Sequence, residues 1–394
     1  MKILRKINNL PFIFYKKNDI INYKVKKELK SKVVIMRTIL GQYNEAIVYG
    51  NILEEEAAQQ IEGLMNEEYV AGSKIRIMPD VHAGAGCTIG FTMTLDGKVC
   101  PNLVGVDIGC GMLTIQLDGD VDPAALDAAA HSVPSGFSVW EYPQDEFDLS
   151  ILRCYEHLNN VERLACSLGT LGGGNHFIEG NYSAFGVPYL VIHSGSRNLG
   201  HQVARYYQSV AIEQSEVLDN SHAYLEGSAY EDYLHDINIV QKWAVKNRML
   251  IAQHIMSDLD VKMVNYFETI HNYIDVENGI LRKGAVSARY GEQLLIPMNM
   301  RDGSLLCVGK GNAEWNYSAP HGAGRLMSRG QAKRELNMEE FIASMTNVYS
   351  TSVVVETIDE APMAYKPMEE IIEAIEPTVE IIDRLIPFFN FKAH

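Results

Sequence analysis

Gly105-Val106-Asp107-Ile108-Gly109-Cys110-Gly111 puts a carboxylate and a thiol three residues apart in a loop punctuated by three glycines. Asp107 offers a hard oxygen and Cys110 a soft sulfur, so one cation or two can be held there. Glycine lets the backbone turn tightly and come close to a ligand. The stretch has a second local meaning, because Asp in a glycine-rich turn is a turn former and a lone Cys behaves as a small hydrophobe. Its flanks bear on the fold. Residues 88–95 and 112–117 carry strand patterns on either side, so the loop joins two strands and any further ligands must come from elsewhere in the chain.

Working outward, residues 54–69 read as an amphipathic helix, with Ala57, Ala58, Ile61, Leu64 and Met65 on one face and acids in the first turn. A short strand over 74–78 then enters a turn over 79–86 that carries Asp80 and His82. Residues 122–167 are mixed helix and loop with nothing chemically distinctive, and His131 and His157 read there as surface or satisfied core histidines. The next motif is Gly172-Gly173-Gly174-Asn175-His176-Phe177-Ile178-Glu179, where loop N–H groups can cradle phosphate while Asn and Glu fix a base or sugar. An apolar strand over 187–192 delivers His193 into Ser194-Gly195-Ser196-Arg197. Residues 201–267 read as helical, with His222, His235 and His254 on the surface. His271-Asn272 follows, and then Tyr317-Ser318-Ala319-Pro320-His321-Gly322-Ala323-Gly324-Arg325, with Arg329 four residues on and expected on the same helix face as Arg325. A strand over 352–356 and a helical periodicity from Met368 to Ile382, broken or kinked at Pro377, end the chain. There is no fixed-period repeat and no clear linker after residue 36, so the expectation is one α+β domain, large and with helices and strands interwoven.

Composition narrows the class. A chain of 394 residues that is 47% hydrophobic buries a sizeable core. It has no apolar run long enough to cross a bilayer. Its start is basic but lacks a small-residue cleavage site, so no membrane and no secretory signal are expected. Six cysteines without a CxxC pair suit a reducing cytoplasm. Residues 1–35 hold ten Lys/Arg against two Asp/Glu, a net +8, whereas the remainder holds 24 against 48, a net −24. The basic arm reads as a disordered extension or a mis-assigned start, with Met36 the functional start of a catalytic domain over 36–394. The acidic body excludes a broad phosphate-gripping surface, so any nucleic-acid contact is local, from a few arginines in a cleft.

Asp107, Cys110, His176, His193 and His271 exceed what a closed tetrahedral zinc site needs and suffice for two bridged divalent ions with open positions. That leaves His321 spare, and a neutral imidazole is a competent nucleophile toward phosphorus. Residue types alone lead to metal-dependent phosphoryl or nucleotidyl transfer.

These motifs, together with Pro79-Asp80-Val81-His82 and Arg282-Lys283-Gly284-Ala285, make the chain resemble the RtcB family of RNA-splicing ligases over about residues 72–394. The resemblance implies the RtcB type of mixed α/β domain with its active site in a central cleft. It implies GTP and Mn²⁺ as cofactors, two ions per active site, and RNA with broken ends as substrate. Asp107, Cys110, His176, His193 and His271 would bind the two ions, with the Cys110 thiolate between them. His321 would take GMP from GTP, GMP would pass to an RNA 3′-phosphate, and a 5′-hydroxyl near Asp80 would displace it. Carried over by motif, Asn175, His176, Phe177, Ile178, Glu179, His271, Asn272, His321, Gly322, Ala323 and Gly324 would line the GMP pocket. Tyr365 would stack on guanine, Lys392 would contact the nucleotide, and Arg197, Arg325 and Arg329 would hold RNA phosphates.

One segment departs from the pattern. Met298, Asn299, Met300 and Arg301 stand where longer members carry a Gly-Ser-Met-Gly turn, although Ser304 fits a second nucleotide-contacting serine, and Pro297, Met298, Asn299, Met300 and Ser304 are still expected at the GMP pocket. The compact length leaves tRNA splicing and repair of cleaved RNA both open, and archease open as an activating partner. Two other readings also stand: a metal-dependent phosphatase or cyclic phosphodiesterase, which would not need His321 as nucleophile, and a non-catalytic RNA-binding relative, which should have lost ligands. If Met36 is the functional start, a chain lacking residues 1–35 joins RNA ends at the full-length rate in a gel-based ligation assay, and loss of joining on truncation refutes it.

Overall fold

The computed structural model describes residues 36–392, so the expected basic extension over 1–35 lies outside the described residues. Two sheets organise them. The larger runs in the order Met263–Ile270, Gly111–Leu117, Pro188–Ser194, Phe177–Tyr182, Val379–Lys392, Gly303–Gly309 and Gln293–Asn299. Each neighbouring pair is antiparallel. The second contains Met36–Leu40, Glu45–Tyr49, Ile75–His82, Ile89–Thr94, Ile280–Lys283 and Asn272–Asp275. This is the mixed α+β architecture expected from the sequence, and the described residues fall in one compact unit.

Register places the ligand candidates. Gly111 pairs with both Ser194 and Ile270, and His193 pairs with both Met112 and Phe177. Cys110 precedes the first of these strands, His193 lies one residue from the end of the second, His271 follows the third and His176 precedes the fourth. All four therefore emerge at the same end of the sheet. His271 is also the single residue separating Met263–Ile270 in the larger sheet from Asn272–Asp275 in the other.

Alternation along the strands divides the core. Leu113, Ile115, Ile178, Leu190 and Ile192 face a helix, Gly227–Leu259, that packs Ile251, Ala252 and Ile255 against them. Met112, Phe177 and Val191 face the opposite side with Leu295 and Leu306. On the helix, Asn247 and Arg248 occupy positions one turn beyond the buried Trp243 and Ala244 and are themselves fully buried. Arg248 donates from Nη1 to the carbonyls of Gly109 (2.8 Å) and Ser194 (2.7 Å) and from Nε to Glu268 (2.8 Å). Asn247 accepts from the Gly169 and Thr170 amides and donates to the Ser194 hydroxyl. Two polar side chains thus tie together the loops that carry Cys110, His176 and His193.

Several local expectations are corrected. The strand expected over 74–78 continues to His82, so Asp80 and His82 sit in a strand and not a turn; a register shift between Ile77 and His82 accommodates Pro79, which has no N–H to give. The helix expected over 54–69 is Glu55–Met65 followed by a 3₁₀ turn, Glu68–Val70. The helical stretch 201–267 is two helices, Arg197–Gln214 and Gly227–Leu259, and then a strand. His222 is buried against Glu67 at 3.2 Å instead of lying at the surface. Residues 352–356 form no strand, because the Thr357 hydroxyl donates to the Val354 carbonyl and the chain turns there into a 3₁₀ helix, Val355–Glu360, while the Ser352 hydroxyl donates to the distant Lys392 carbonyl. The last helix stops at Ile375, before Pro377, and Ile382 belongs to the strand Val379–Lys392. Arg325 and Arg329 share no helix: Arg325 bridges to Tyr365, while Arg329 opens the helix Arg329–Glu335 behind its Ser328 cap.

Replacing Arg248 with Met leaves Glu268 unpaired and two buried carbonyls without donors. Arg248→Met is expected to lower stability by about 3–5 kcal/mol, read as a drop in the urea midpoint.

Candidate active site

At the shared sheet end, the Cys110 sulfur lies 3.4 Å from His176 Nε2 and 3.3 Å from His193 Nε2. His193 Nε2 is 3.3 Å from His271 Nε2, and His176 Nε2 is 3.0 Å from Asp107 Oδ2. Cys110, His176 and His193 form a buried group whose ligand atoms lie close enough together to hold a metal ion. Backbone carbonyls set the ring orientations. His176 Nδ1 meets Leu171 O at 2.8 Å and His193 Nδ1 meets Asn175 O at 3.2 Å, so each Nδ1 carries the proton and turns Nε2 inward. Asp107 is fixed by the Ser196 amide, which donates to Oδ1 at 3.0 Å. Gly195 is required beside it, because a Cβ there would overlap the Asp107 carboxylate.

The electrostatics match a cation site. Burial, then the neighbouring imidazoles, hold His193 well below 6.5, and burial with the nearby His321 does the same to His271, so both rings are neutral and free to ligate. His271 Nδ1 is buried without a partner among the described residues. Burial would raise the Asp107 carboxyl, but the His176 hydrogen bond and charge outweigh it and hold it at about 2. Burial and the Asp107 carboxylate push the Cys110 thiol up, a balance that a bound divalent ion inverts. Sulfur, imidazole nitrogens and a carboxylate oxygen converge with more lone pairs than protons, and that donor set suits a borderline first-row divalent ion.

His321 stands beside this group, its ring centroid 5.0 Å from that of His271. Its Nδ1 is 2.6 Å from Asp80 Oδ2, and its backbone N–H donates to the same oxygen at 3.0 Å. Asp80 is fully buried. Lys366 holds the strand carrying it by donating to the carbonyls of Pro79 and Val81, each at 3.0 Å. Gly324, at φ 73°, lets the loop after His321 lie directly against the Asp80 backbone, where a Cβ would clash. Asp80 therefore orients His321, and its carboxylate is not presented to the cavity.

A sequence profile described as tRNA-splicing ligase RtcB matches residues 64–141 and 144–393. The chain belongs to the RtcB family. The RNA-splicing ligase RtcB of Escherichia coli K12 is 33% identical over 379 residues, covering 84% of this chain and 92% of that relative. The tRNA-splicing ligase RtcB of Aeropyrum pernix is 28% identical, covering 75% and 82%, and that of Archaeoglobus fulgidus 27%, covering 82% and 88%.

A cavity of about 180 Å³ opens beside His321. Of the residues expected at the nucleotide pocket of this RtcB-family chain, Asn175, Phe177, Glu179, His271, Pro297, Met298, Asn299, Met300, His321, Gly322, Ala323, Gly324, Tyr365 and Lys392 line it, as do Arg325 and Arg329. Ile178 does not, because strand alternation turns it to the helix-packed core. Asn272 instead braces the Asp107–Cys110 loop, its side-chain amide donating to the Asp107 carbonyl at 3.4 Å and its backbone carbonyl accepting from the Gly109 amide at 2.7 Å. The Ser304 hydroxyl is buried off the wall, and His176 faces the metal group. Arg197 lies in a neighbouring cavity.

His82, singled out from the sequence with Asp80 but not placed at the pocket, also lines the wall, as do Glu360 and Asn390, which the sequence reading missed. Glu360 pairs with Lys392 at 2.6 Å, Arg329 at 2.7 Å and Arg325 at 3.4 Å and accepts from Tyr365 OH at 2.8 Å. Burial opposes its ionisation, but these cations hold it at about 2. The one sequence signal for it was its position five residues before Tyr365. Asn247 and Arg248 were also missed, although each interrupts an otherwise apolar helix face at four-residue spacing.

Burial, only partly offset by Asn390, Asn181 and Lys392, pushes the Glu179 carboxyl up to about 7. A carboxyl raised on folding stabilises below its unfolded value of about 4.3, and that contribution is lost as pH climbs toward 7. The stability of the wild type relative to Glu179→Gln is therefore expected to fall between those two values and flatten above them, as followed by denaturant titration across pH.

Proposed function

We infer that this RNA ligase joins an RNA 3′-phosphate or 2′,3′-cyclic phosphate end to a 5′-hydroxyl end, with GTP as activator and Mn²⁺ as resident metal. The observation that carries the reading is His321 in the wall of a cavity, held from behind by the buried Asp80 and next to the converging Cys and His side chains. Asp80 keeps the proton on Nδ1 and leaves the Nε2 lone pair of His321 as nucleophile.

In the proposed sequence, Nε2 attacks the α-phosphorus of GTP; a P–N bond forms, the P–O bond to pyrophosphate breaks, and Asp80 stabilises the positive ring. An oxygen of the RNA 3′-phosphate then attacks that phosphorus, the P–N bond breaks, and GMP is carried as RNA-3′-pp-5′-G. The 5′-hydroxyl, on losing its proton, attacks the 3′-phosphate phosphorus and GMP leaves. A cyclic phosphate is first opened by water. Asp107, Cys110, His176, His193 and His271 would hold two Mn²⁺, which neutralise phosphate charge and orient in-line displacement.

Phe177, Glu179, Tyr365 and Lys392 would surround the guanosine, with the Tyr365 ring against the base. Arg325 and Arg329 would meet RNA phosphates at the cavity mouth, with Arg197 on the far side of the glycine loop. Archease is proposed as an activating partner on family resemblance alone. We place the enzyme in the reducing cytoplasm on its six free cysteines. No helix among the described residues is long and apolar enough to cross a membrane.

The phosphatase reading gives the Asp80–His321 pair no task, and one experiment separates the two. Incubation with α-labelled GTP and Mn²⁺ is expected to give an acid-labile, alkali-stable protein–GMP adduct. The adduct disappears in His321→Ala and Cys110→Ala and persists in Cys87→Ala. Asp80→Asn slows its formation by roughly 100-fold or more. A well-folded, Mn-loaded wild type that forms no adduct overturns the ligase reading.

A further inference from the structure

A second cavity, of about 650 Å³ and open to solvent, lies on the other side of the glycine loop. Gly173 and Gly174 line it, and the next residue, Asn175, lines the cavity at His321. The two spaces thus share one wall, and that wall carries the His176 ligand. Its size falls within the roughly 300–1,000 Å³ of ligand pockets.

Its charge is unlike that of the rest of the molecule. Arg163, Arg197 and His201 line it, with no Asp or Glu among its described lining residues. This occurs in a chain whose residues 36–394 carry 48 acids against 24 Lys and Arg. At the His321 cavity the arginines are neutralised by Glu360 and Asp359; none of the ion pairs among the described residues involves Arg163 or Arg197. A guanidinium carries five donors, and the hydrogen bonds found here use one group on Arg163 and two on Arg197.

At the rim stands Phe137, 96% exposed. Its loop is braced and not loose. Arg163 donates to the Phe137 carbonyl and Arg197 to that of Gly136, each at 2.6 Å, while the Gly136 amide donates to Gly172 O at 2.8 Å. The Arg197 backbone is itself held in the left-handed region at φ 56°, a conformation a non-glycine residue keeps only when its surroundings impose it. An aromatic ring left in water on a fixed loop, with two cations bonded to that loop's backbone, is what a single-stranded nucleic acid requires: a flat apolar face for a base and positive charge for its phosphate.

We infer that this cavity seats one nucleotide of the RNA strand next to the reacting end, its base stacked on Phe137 and its phosphate held by Arg163 and Arg197. The inference rests on the ligase reading in naming RNA as the occupant. A protein surface would need a contiguous apolar patch of several hundred Å², where this site offers one exposed ring beside two cations.

The test is fluorescence anisotropy with a labelled single-stranded oligoribonucleotide ending in a 3′-phosphate, titrated at salt concentrations between about 50 and 200 mM. Phe137→Ala is expected to weaken binding roughly 5- to 150-fold, with an unchanged melting temperature because the ring is exposed, while Phe137→Trp retains affinity. Arg163→Ala is expected to reduce the slope of log K against log salt by about 0.7. All three variants still form the protein–GMP adduct, since none touches the cavity at His321. Wild-type affinity in Phe137→Ala, or an unchanged salt slope in Arg163→Ala, overturns the inference. A wild type that binds the oligonucleotide through Phe137 but forms no adduct supports the nucleotide seat and overturns only the ligase reading.

Discussion

Five donor-bearing side chains turned toward one another at one end of a sheet are the constraint around which this molecule is arranged. The Cys110 sulfur, the inward Nε2 atoms and the Asp107 carboxylate lie crowded at little more than 3 Å. The protein keeps them there by holding their other ends. Carbonyls of Leu171 and Asn175 fix two rings, the Ser196 amide fixes the carboxylate, and Arg248 ties down the backbone of the loops on both sides. Preorganisation of this kind is costly without a cation and would be repaid by one bound there.

The neighbouring His321 obeys the same logic with a proton in place of a metal. A buried carboxylate receives both its ring and its backbone N–H, so the ring has one orientation and one available nitrogen. That carboxylate arrives from the second sheet, whereas Cys110, His176 and His193 come from the first. His271, the residue between the two sheets, stands at the meeting point. The reactive centre is thus assembled where two independently patterned sheets join, and the geometry of each half depends on the other.

Charge is handled locally. The body is acidic, and cations near the site are apportioned: Arg325, Arg329 and Lys392 surround Glu360, whereas Arg163 and Arg197 face a cavity without acids. A polyanion meets attraction at the cleft and repulsion over much of the remaining surface, which favours engagement at the reacting end.

By itself the sequence determined the chemical identity of the site: which donors exist, that they sit in glycine-rich loops at strand ends, and that a histidine is left over. Those are local properties, set by residue type and by alternation that repeats every two residues. Only the tertiary structure decided what those donors do together. Antiparallel register across four strands brings Cys110, His176, His193 and His271 to one end of a sheet, and register is fixed by pairing between residues as far apart in sequence as Gly111 and Ile270. The same holds for Asp80, read as part of a turn and found in a strand against His321, and for Ile178, placed on the pocket by motif and turned into the core by the pleat. Glu360, Arg248 and Phe137 gave almost no sequence signal, because a buried acid, a polar residue on an apolar helix face and an exposed aromatic acquire meaning only from what lies opposite them in space.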